Sequence, residues 1–464
     1  MKLSAVFIGL LLGFVVVSSI TGCRLLFEPQ LDAATAYATK QYTVASQLLI
    51  ESYNAEKDLV KKADLAYQIA ECYRMANKTI EAETWYKRAL EYSDNAQVTF
   101  KYALMLKSNG KYEQAIRLFK EYALSNINDR PRASKAMQAC KQALEWQQTP
   151  TEHKVINVQS LNSDASDFAP AWYENDFLVF TSSRKEAMGD KLYGWTGEKH
   201  SDLFMADRKS YLFYENIVAF TDSINTNYNE GTASFTADYT KVYFTACGSK
   251  DDVDDYCQIY VSVKNEAGVW LMPEHFKLFE ADTINVGQPC IAPDGKTFYF
   301  SADVANGQGN KDLYQVTKLP DGYWSKPQNL GPAINTEGYE GFPFIAADGT
   351  LYFASDGHSG MGGLDVFKAE WQDKKWKNPT NLKAPINSAA DDFGLIVAPY
   401  IEPELMDSVE MMGYFSSSRP GGRGSDDIYC FALTVAPEII PPEPEDTTVL
   451  VIVPENPAVK VIPP

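Results

Sequence analysis

Gly341-Phe342-Pro343-Phe344, Asp348-Gly349-Thr350, Leu351-Tyr352-Phe353-Ala354-Ser355 and Leu364-Asp365-Val366-Phe367 lie close together, just after Ile334-Asn335-Thr336, and the reading of this stretch decides the fold. Phe342 to Ile345 and Leu351 to Ala354 are short runs of aromatic and branched residues, and the Asp-Gly between them supplies the positive φ that a tight hairpin needs. The unit therefore reads as a hairpin followed by a third strand.

The same grammar recurs through the second half of the chain. An Asn anchor appears five times, at Asn162, Asn225, Asn285, Asn335 and Asn387. A second-strand motif comes after each anchor, as in Val242-Tyr243-Phe244-Thr245 or Gly413-Tyr414-Phe415-Ser416. The third strand opens on Asp202, Asp312, Asp365 and Asp427, with Gln258 as the departure in the second copy. A further apolar run, Trp270 to Phe279, Trp324 to Leu330 or Trp376 to Leu382, precedes the next anchor. Four short strands per unit at this period predict the blades of a β-propeller, which bury their sheet faces only by stacking radially. The fifth unit has no fourth strand after Tyr429, and Lys154 to Val158 is the strand available to complete it and close the ring. Five blades are expected, with six as the alternative count. An open β-solenoid uses the same repeats but leaves Val155 to Val158 without a role.

With 464 residues the chain needs more than one core, and its formal charge of −19 argues against nucleic acid and against docking on anionic lipid. Residues 1 to 22 have the layout of a secretory signal: Lys2, an apolar run from Ala5 to Val17, then Ile20-Thr21-Gly22-Cys23. The Cys after Gly22 resembles a bacterial lipoprotein box, which implies that Cys23 is acylated and becomes the mature N-terminus. With Arg24 next to it, the resemblance implies an outer-membrane anchor, and the lack of an acidic cluster points to the periplasmic face. Residues 23 to 30 then form a lipidated linker.

Residues 31 to 149 lose Gly and Pro and gain helical spacing. Ala66, Ala70, Tyr73, Ala82, Tyr86 and Ala89 fall where tetratricopeptide repeats place small and aromatic residues, a second copy holds Ala103, Leu106, Ala115 and Phe119, and a looser one lies around Ala33, Ala45 and Leu49. Pro131 opens a final helix through Trp146. The expected architecture is thus an α-solenoid of tetratricopeptide type followed by an all-β propeller over residues 150 to 435. Such a stack offers a concave face for a peptide or helix, or serves as a rigid spacer. Residues 436 to 464 are a Pro-rich, acidic tail containing Thr447 to Val453, a strand without a sheet. It reads as a strand for a partner's sheet edge or as the linker to a domain this chain lacks.

Candidate sites are few. Cys247 and Cys257 flank one loop and are expected to form a disulfide; Cys72 with Cys140 and Cys290 with Cys430 are further candidate pairings. The four histidines, His153, His200, His275 and His358, are scattered, and no Cys/His spacing suggests zinc. No Gly-x-Ser-x-Gly elbow is present. Asp251 to Asp255, and Asp303 with Asn306, Asn310 and Asp312, are oxygen-rich enough for calcium but match no EF-hand spacing, so they read as solvated loop charge. The recurring Asp residues read as satisfying backbone donors at blade turns. No metal, cofactor or catalytic set is expected, and the protein is expected not to be an enzyme.

The Pro293-Asp294-Gly295-Lys296 and Ala347-Asp348-Gly349-Thr350 turns, the Tyr-Phe-Ser strands, and the Gly362 to Phe367 and Gly424 to Tyr429 segments resemble TolB-type (WD40-like) propeller repeats. The order of modules is similar to Bacteroidetes envelope proteins that join tetratricopeptide repeats, a propeller and an OmpA-like peptidoglycan-binding domain. The resemblance implies a protein-protein interaction scaffold among envelope proteins, in the company of type IX secretion or gliding machinery. Peptidoglycan binding is not carried over, because the sequence lacks the OmpA-like domain. The alternative expectation is a periplasmic glycan- or peptide-binding receptor or hydrolase that uses the propeller funnel.

Overall fold

The structure, a computed structural model, describes residues 31–248, 256–401, 405–406 and 408–434. The signal segment, Cys23, the acidic run Asp251 to Asp255 and the tail from residue 435 lie outside the described residues.

Seven α-helices fill the N-terminal region among the described residues: α1 Ala33–Ala38, α2 Tyr42–Ala55, α3 Leu59–Met75, α4 Thr79–Leu90, α5 Ala96–Ser108, α6 Tyr112–Ser125 and α7 Arg130–Gln148. Their ends obey the local chemistry. Asp58 and Asn95 accept from the first-turn N–H groups of α3 and α5, and α7 has Pro131 in its first turn. Ala66, Ala70, Ala82, Ala103 and Ala115 are fully buried where helices meet, and Tyr86 and Phe119 fill the gaps between them. Buried Glu71 accepts from Tyr86 and pairs with Arg74 at 3.0 Å and Lys101 at 2.8 Å, which ties α3, α4 and α5 together.

Five four-stranded antiparallel sheets come next as a five-bladed propeller, which replaces both the six-bladed and the open-solenoid alternatives. Blade 5 is completed by β1 (His153–Asn157), whose His153 to Asn157 pair with Leu433 to Tyr429 on the last strand, β22 (Asp427–Thr434), so the strand just after the helices closes the ring. Blade 1 comprises β2 (Asp167–Tyr173), β3 (Phe177–Ser182), β4 (Asp202–Arg208) and β5 (Tyr214–Ala219). Blade 2 holds β6 (Asn229–Phe235), β7 (Lys241–Cys247), β8 (Cys257–Val263) and β9 (Glu274–His275), and blade 3 holds β10 (Val286–Ile291), β11 (Thr297–Ala302), β12 (Asp312–Thr317) and β13 (Gln328–Asn329). Blade 4 has β14 (Glu340–Ile345), β15 (Leu351–Ser355), β16 (Asp365–Ala369) and, after the small β17 (Trp371–Gln372) and β18 (Lys375–Trp376) hairpin, β19 (Thr380–Asn381). Blade 5 adds β20 (Asp392–Val397), β21 (Val409–Ser417) and β22 (Asp427–Thr434).

The apolar runs expected as fourth strands are mostly not strand. In blades 2, 3 and 4 only two residues pair, while Trp270 and Trp376 turn inward and are buried. Burying an indole between blades outweighs extending an outer edge ladder. Every blade carries one cross-strand aromatic pair between its second and third strands: Phe180 with Phe204, Phe244 with Tyr260, Phe300 with Tyr314, Phe353 with Phe367, and Phe415 with Tyr429. The five apolar clusters of the propeller each lie between two neighbouring blades, so each blade depends on its neighbours for burial.

Cys247 and Cys257 form a disulfide. Cys72, Cys140, Cys290 and Cys430 are free and buried in four different clusters, which corrects the other two candidate pairings: these thiols are core residues.

Candidate functional site

The residues that repeat in every blade hold the ring together. Asn162, Asn225, Asn335 and Asn387 each accept from, and donate to, one residue on a third strand: Ile428, Leu203, Leu313 and Val366, at 2.7 to 3.0 Å. Asn285 departs from this, donating to Asp303 and accepting from Cys257 N–H. Asp312, Asp365 and Asp427 each accept two backbone N–H groups from the loop before the third strand, while Asp202 accepts one from Met188. Burial pushes Asp202 and Asp365 up to about 6. Asp303 and Asp312 thus spend their oxygens on protein donors. Among the described residues no group of three or more His, Cys, Asp or Glu has metal-holding geometry, and the four histidines sit in four different blades.

A second ring of acids stands at the start of the inner strands. Asp167, Glu230, Glu340 and Asp392 are buried and accept from the N–H and hydroxyl of Ser163, Thr226, Thr336 and Ser388, while Val286 takes this place in blade 3. In blades 1 and 5 an arginine neutralises the acid: Arg184 lies 2.5 Å from Asp167 and Arg419 lies 2.6 Å from Asp392. Among the described residues, blades 2 and 4 have no such arginine, and burial raises Glu230 to about 8 and Glu340 in the same direction.

Beyond this ring each inner strand bulges, at Ala169, Thr232, Gln288, Phe342 and Gly394, all with φ between 48° and 60°. The bulge N–H of Ala169, Thr232 and Gln288 donates to a hydroxyl of the preceding blade, on Ser416, Thr181 and Thr245, and that of Phe342 donates to Gln288 Oε1. Backbone strain used in every blade is a device of closure rather than of chemistry. Past the bulges the strands open into a funnel of about 690 Å³. Trp172, Phe235, Phe344, Tyr352, Ile396 and Met411 line it, and among the described residues Asp348 and Glu410 are its only acids. Pro170, Pro289 and Pro343 each come directly after a bulge residue, so three of the five inner edges lose a backbone donor there.

The other end of the axis is polar and roofed. The helices dock on the loops opposite the funnel: Trp195 Nε1 donates to Met75 O at 2.7 Å, Lys107 Nζ to Gly362 O at 2.6 Å, Asn77 Nδ2 to Asp391 Oδ2 at 2.8 Å, and Met361 is buried in the helical core. Glu198 accepts from Ser166 N–H and the Ser183 and Ser425 hydroxyls, Asp356 from Tyr339 N–H and Asp391 from Leu364 N–H. Burial pushes Asp391 up to about 6 and Asp426 up to about 7, with neighbouring carboxylates adding to both shifts. Asp356 is open to solvent yet raised as well, because protein crowds its other sides. Burial lowers the Lys311 ammonium to about 8.

Neither the funnel residues nor these carboxylates are among the sites legible from sequence patterns. Two signals are nonetheless present. Ala169-Pro170, Gln288-Pro289 and Phe342-Pro343 are X-Pro pairs inside strands, and Asp391-Asp392 and Asp426-Asp427 are doubled acids where other blades carry one acid or none.

No protein-family model matches the chain, and no curated protein matches it. Solved structures do resemble it. An endo-arabinase from Bacteroides thetaiotaomicron is 13% identical with a TM-score of 0.37, over 61% of this chain and 97% of that one. An α-L-arabinofuranosidase from Lactobacillus brevis is 11% identical with a TM-score of 0.38, over 60% and 94%. The GH93 α-L-arabinofuranosidase of Fusarium graminearum is 10% identical with a TM-score of 0.36, over 61% and 98%. At these values the likeness is one of fold and assigns this chain no substrate. The expectation that the protein is not an enzyme is withdrawn, since the matched structures are of enzymes, and at these values the match argues for no activity of this chain in its place. The physical reason is that groups from five blades meet at one axis, so a catalytic set here leaves no local motif to be missed or found.

Proposed function

We propose that this protein is an envelope receptor that takes an apolar peptide segment into the open funnel of its propeller. One observation carries the reading: the face free of helices opens into an apolar, aromatic cavity, of a size within the usual range of ligand pockets. Its prolines blunt the inner strand edges, so recognition rests on side-chain packing rather than on strand addition. A glycan needs converging polar groups, and beyond Asp348 and Glu410 the polar lining residues Thr232, Ser234, Thr236 and Gln288 already bond to other protein groups. Anchoring at the periplasmic face of the outer membrane through Cys23, tetratricopeptide-type helices and a scaffold role beside secretion or gliding proteins belong to the same proposal; the module order supports them.

The test is a fluorescence titration of the full chain with short apolar peptides and, separately, with arabino-oligosaccharides. Saturable peptide binding that is lost in Ala346→Arg, a substitution on the funnel wall, supports the reading. Binding of oligosaccharides alone overturns it.

Glycoside cleavage at the roofed end is a second reading, favoured by Asp426. A carboxyl pushed up to about 7, with Asp391 and Glu198 near it, has the proton that a general acid gives to a glycosidic oxygen. Oligosaccharide turnover that disappears in Asp426→Asn, with peptide binding unchanged, would favour it over the funnel.

A further inference from the structure

The funnel wall is not continuous. On the side of blade 5 it runs into a second, open groove of about 590 Å³, lined by Ala398, Pro399, Tyr400, Val409 and Glu410, and Ala398, Pro399 and Glu410 belong to both. The last described residue, Thr434, is the Cα partner of Val409 on the wall of this groove. The polypeptide therefore leaves the propeller on the funnel face, one strand away from the funnel.

The sequence beyond Thr434 matches the lining. Residues 435 to 446 contain four prolines and four acids, and Thr447-Thr448-Val449-Leu450-Val451-Ile452-Val453 is the apolar run that comes after them. At about 3.1 Å per residue an extended Pro-rich spacer of that length spans roughly 37 Å, ample to turn along the groove and re-enter the funnel. The spacer's acids stay solvated while the apolar run meets Tyr400, Pro399 and the aromatic wall. A peptide tethered so closely competes at an effective concentration in the millimolar range.

We infer that the segment Thr447 to Val453 of this chain is the resident occupant of the groove and funnel, and that an incoming apolar peptide must displace it. This rests on the funnel being the peptide site. It makes the tail a threshold: weak or dilute peptides are excluded, and a partner that captures the tail elsewhere opens the funnel.

Two measurements on the full chain test it. In Ala398→Cys/Ile452→Cys, mild oxidation should give an intramolecular disulfide at least about tenfold faster than in Leu124→Cys/Ile452→Cys, whose first site lies on the helices. Both proteins also carry Cys23→Ser, and the native thiols Cys72, Cys140, Cys290 and Cys430 are buried and do not compete. In Leu450→Asp/Ile452→Asp, apolar peptide should bind about tenfold more tightly than to the unaltered chain. Equal oxidation rates, or a disulfide only between two chains, overturn the inference. Unchanged peptide affinity also overturns it, while leaving the funnel as the peptide site. A fast intramolecular disulfide with no peptide bound by either protein supports the seated tail and removes the receptor reading instead.

Discussion

The same five inner strands build both ends of the propeller axis, yet the ends differ in chemistry. At the funnel the side chains are mostly apolar and three of the strand edges carry proline after the bulge. At the roofed end, Glu198, Asp356, Asp391 and Asp426 gather under the helices, with Asn77 reaching down to Asp391. Between them stands a ring of acids that is alike in geometry but not in charge, paired with arginine in blades 1 and 5 and, among the described residues, without one in blades 2 and 4. The difference teaches that position in the repeat decides where a side chain goes, while the neighbour supplied by each blade decides its protonation. Features used in every blade maintain the ring; features that break the repeat are where a ligand can be told apart.

The strongest way to break this comparison is to remove an arginine from the paired half of the ring. Arg419→Ala leaves the fully buried Asp392 without its cation and should cost about 3–5 kcal/mol in denaturant unfolding. A loss no greater than that of an exposed arginine would mean the ring acids are not charged. Next comes the half without arginine: Glu230 already holds its proton at neutral pH, so Glu230→Gln should cost only about 1 kcal/mol, the value of a neutral hydrogen bond. A cost equal to that of Arg419→Ala would erase the distinction between blades.

Acidity sharpens the contrast further. A carboxyl whose folded pKa is raised binds its proton more tightly in the folded state, so the stability it contributes is full below the ordinary carboxylate range. That contribution is lost as pH rises through about 6 for Asp391, about 7 for Asp426 and about 8 for Glu230. The melting temperature should therefore fall between about pH 5.5 and about pH 8.5, and Asp426→Asn should flatten that fall. A melting temperature that rises over the same interval contradicts the assignment. The smallest effect on stability belongs to the funnel. Ala346→Arg should cost no more than about 1 kcal/mol of unfolding free energy while weakening peptide binding, because half-buried Ala346 only flanks the cluster between blades 4 and 5.

Much of the ring was legible in the sequence. The Asn anchors, the Asp-Gly turns and the Tyr-Phe-Ser strands marked the blades, and Lys154 to Val158 lacked a role unless it closed blade 5. These features are local or strictly periodic, and periodicity survives without coordinates. The outer strands lie within the expected runs but are shorter, because Trp270 and Trp376 are buried, and whether an indole extends an edge or fills a cleft depends on the neighbouring blade. The site was hardly legible at all. Trp172, Phe235, Phe344 and Met411 come from four blades and meet only after closure, and no spacing along the chain records that they face one cavity. Asp426 was hidden beside Asp427, the residue that the repeat explains. The exclusion of enzymatic activity failed for the same reason, since the absence of a linear motif says little about an axis assembled from five blades.

The central claim is that the free funnel, and not the roofed end, receives the ligand. Hydrogen-deuterium exchange of the full-length Leu450→Asp/Ile452→Asp protein, in which the tail no longer contests the funnel, with and without a saturating apolar peptide tests it most directly. The account predicts slowed exchange in residues 342–347 and 394–399, with residues 194–198 and 424–427 unchanged. Protection confined to those last two segments would place the ligand under the helices and contradict the claim.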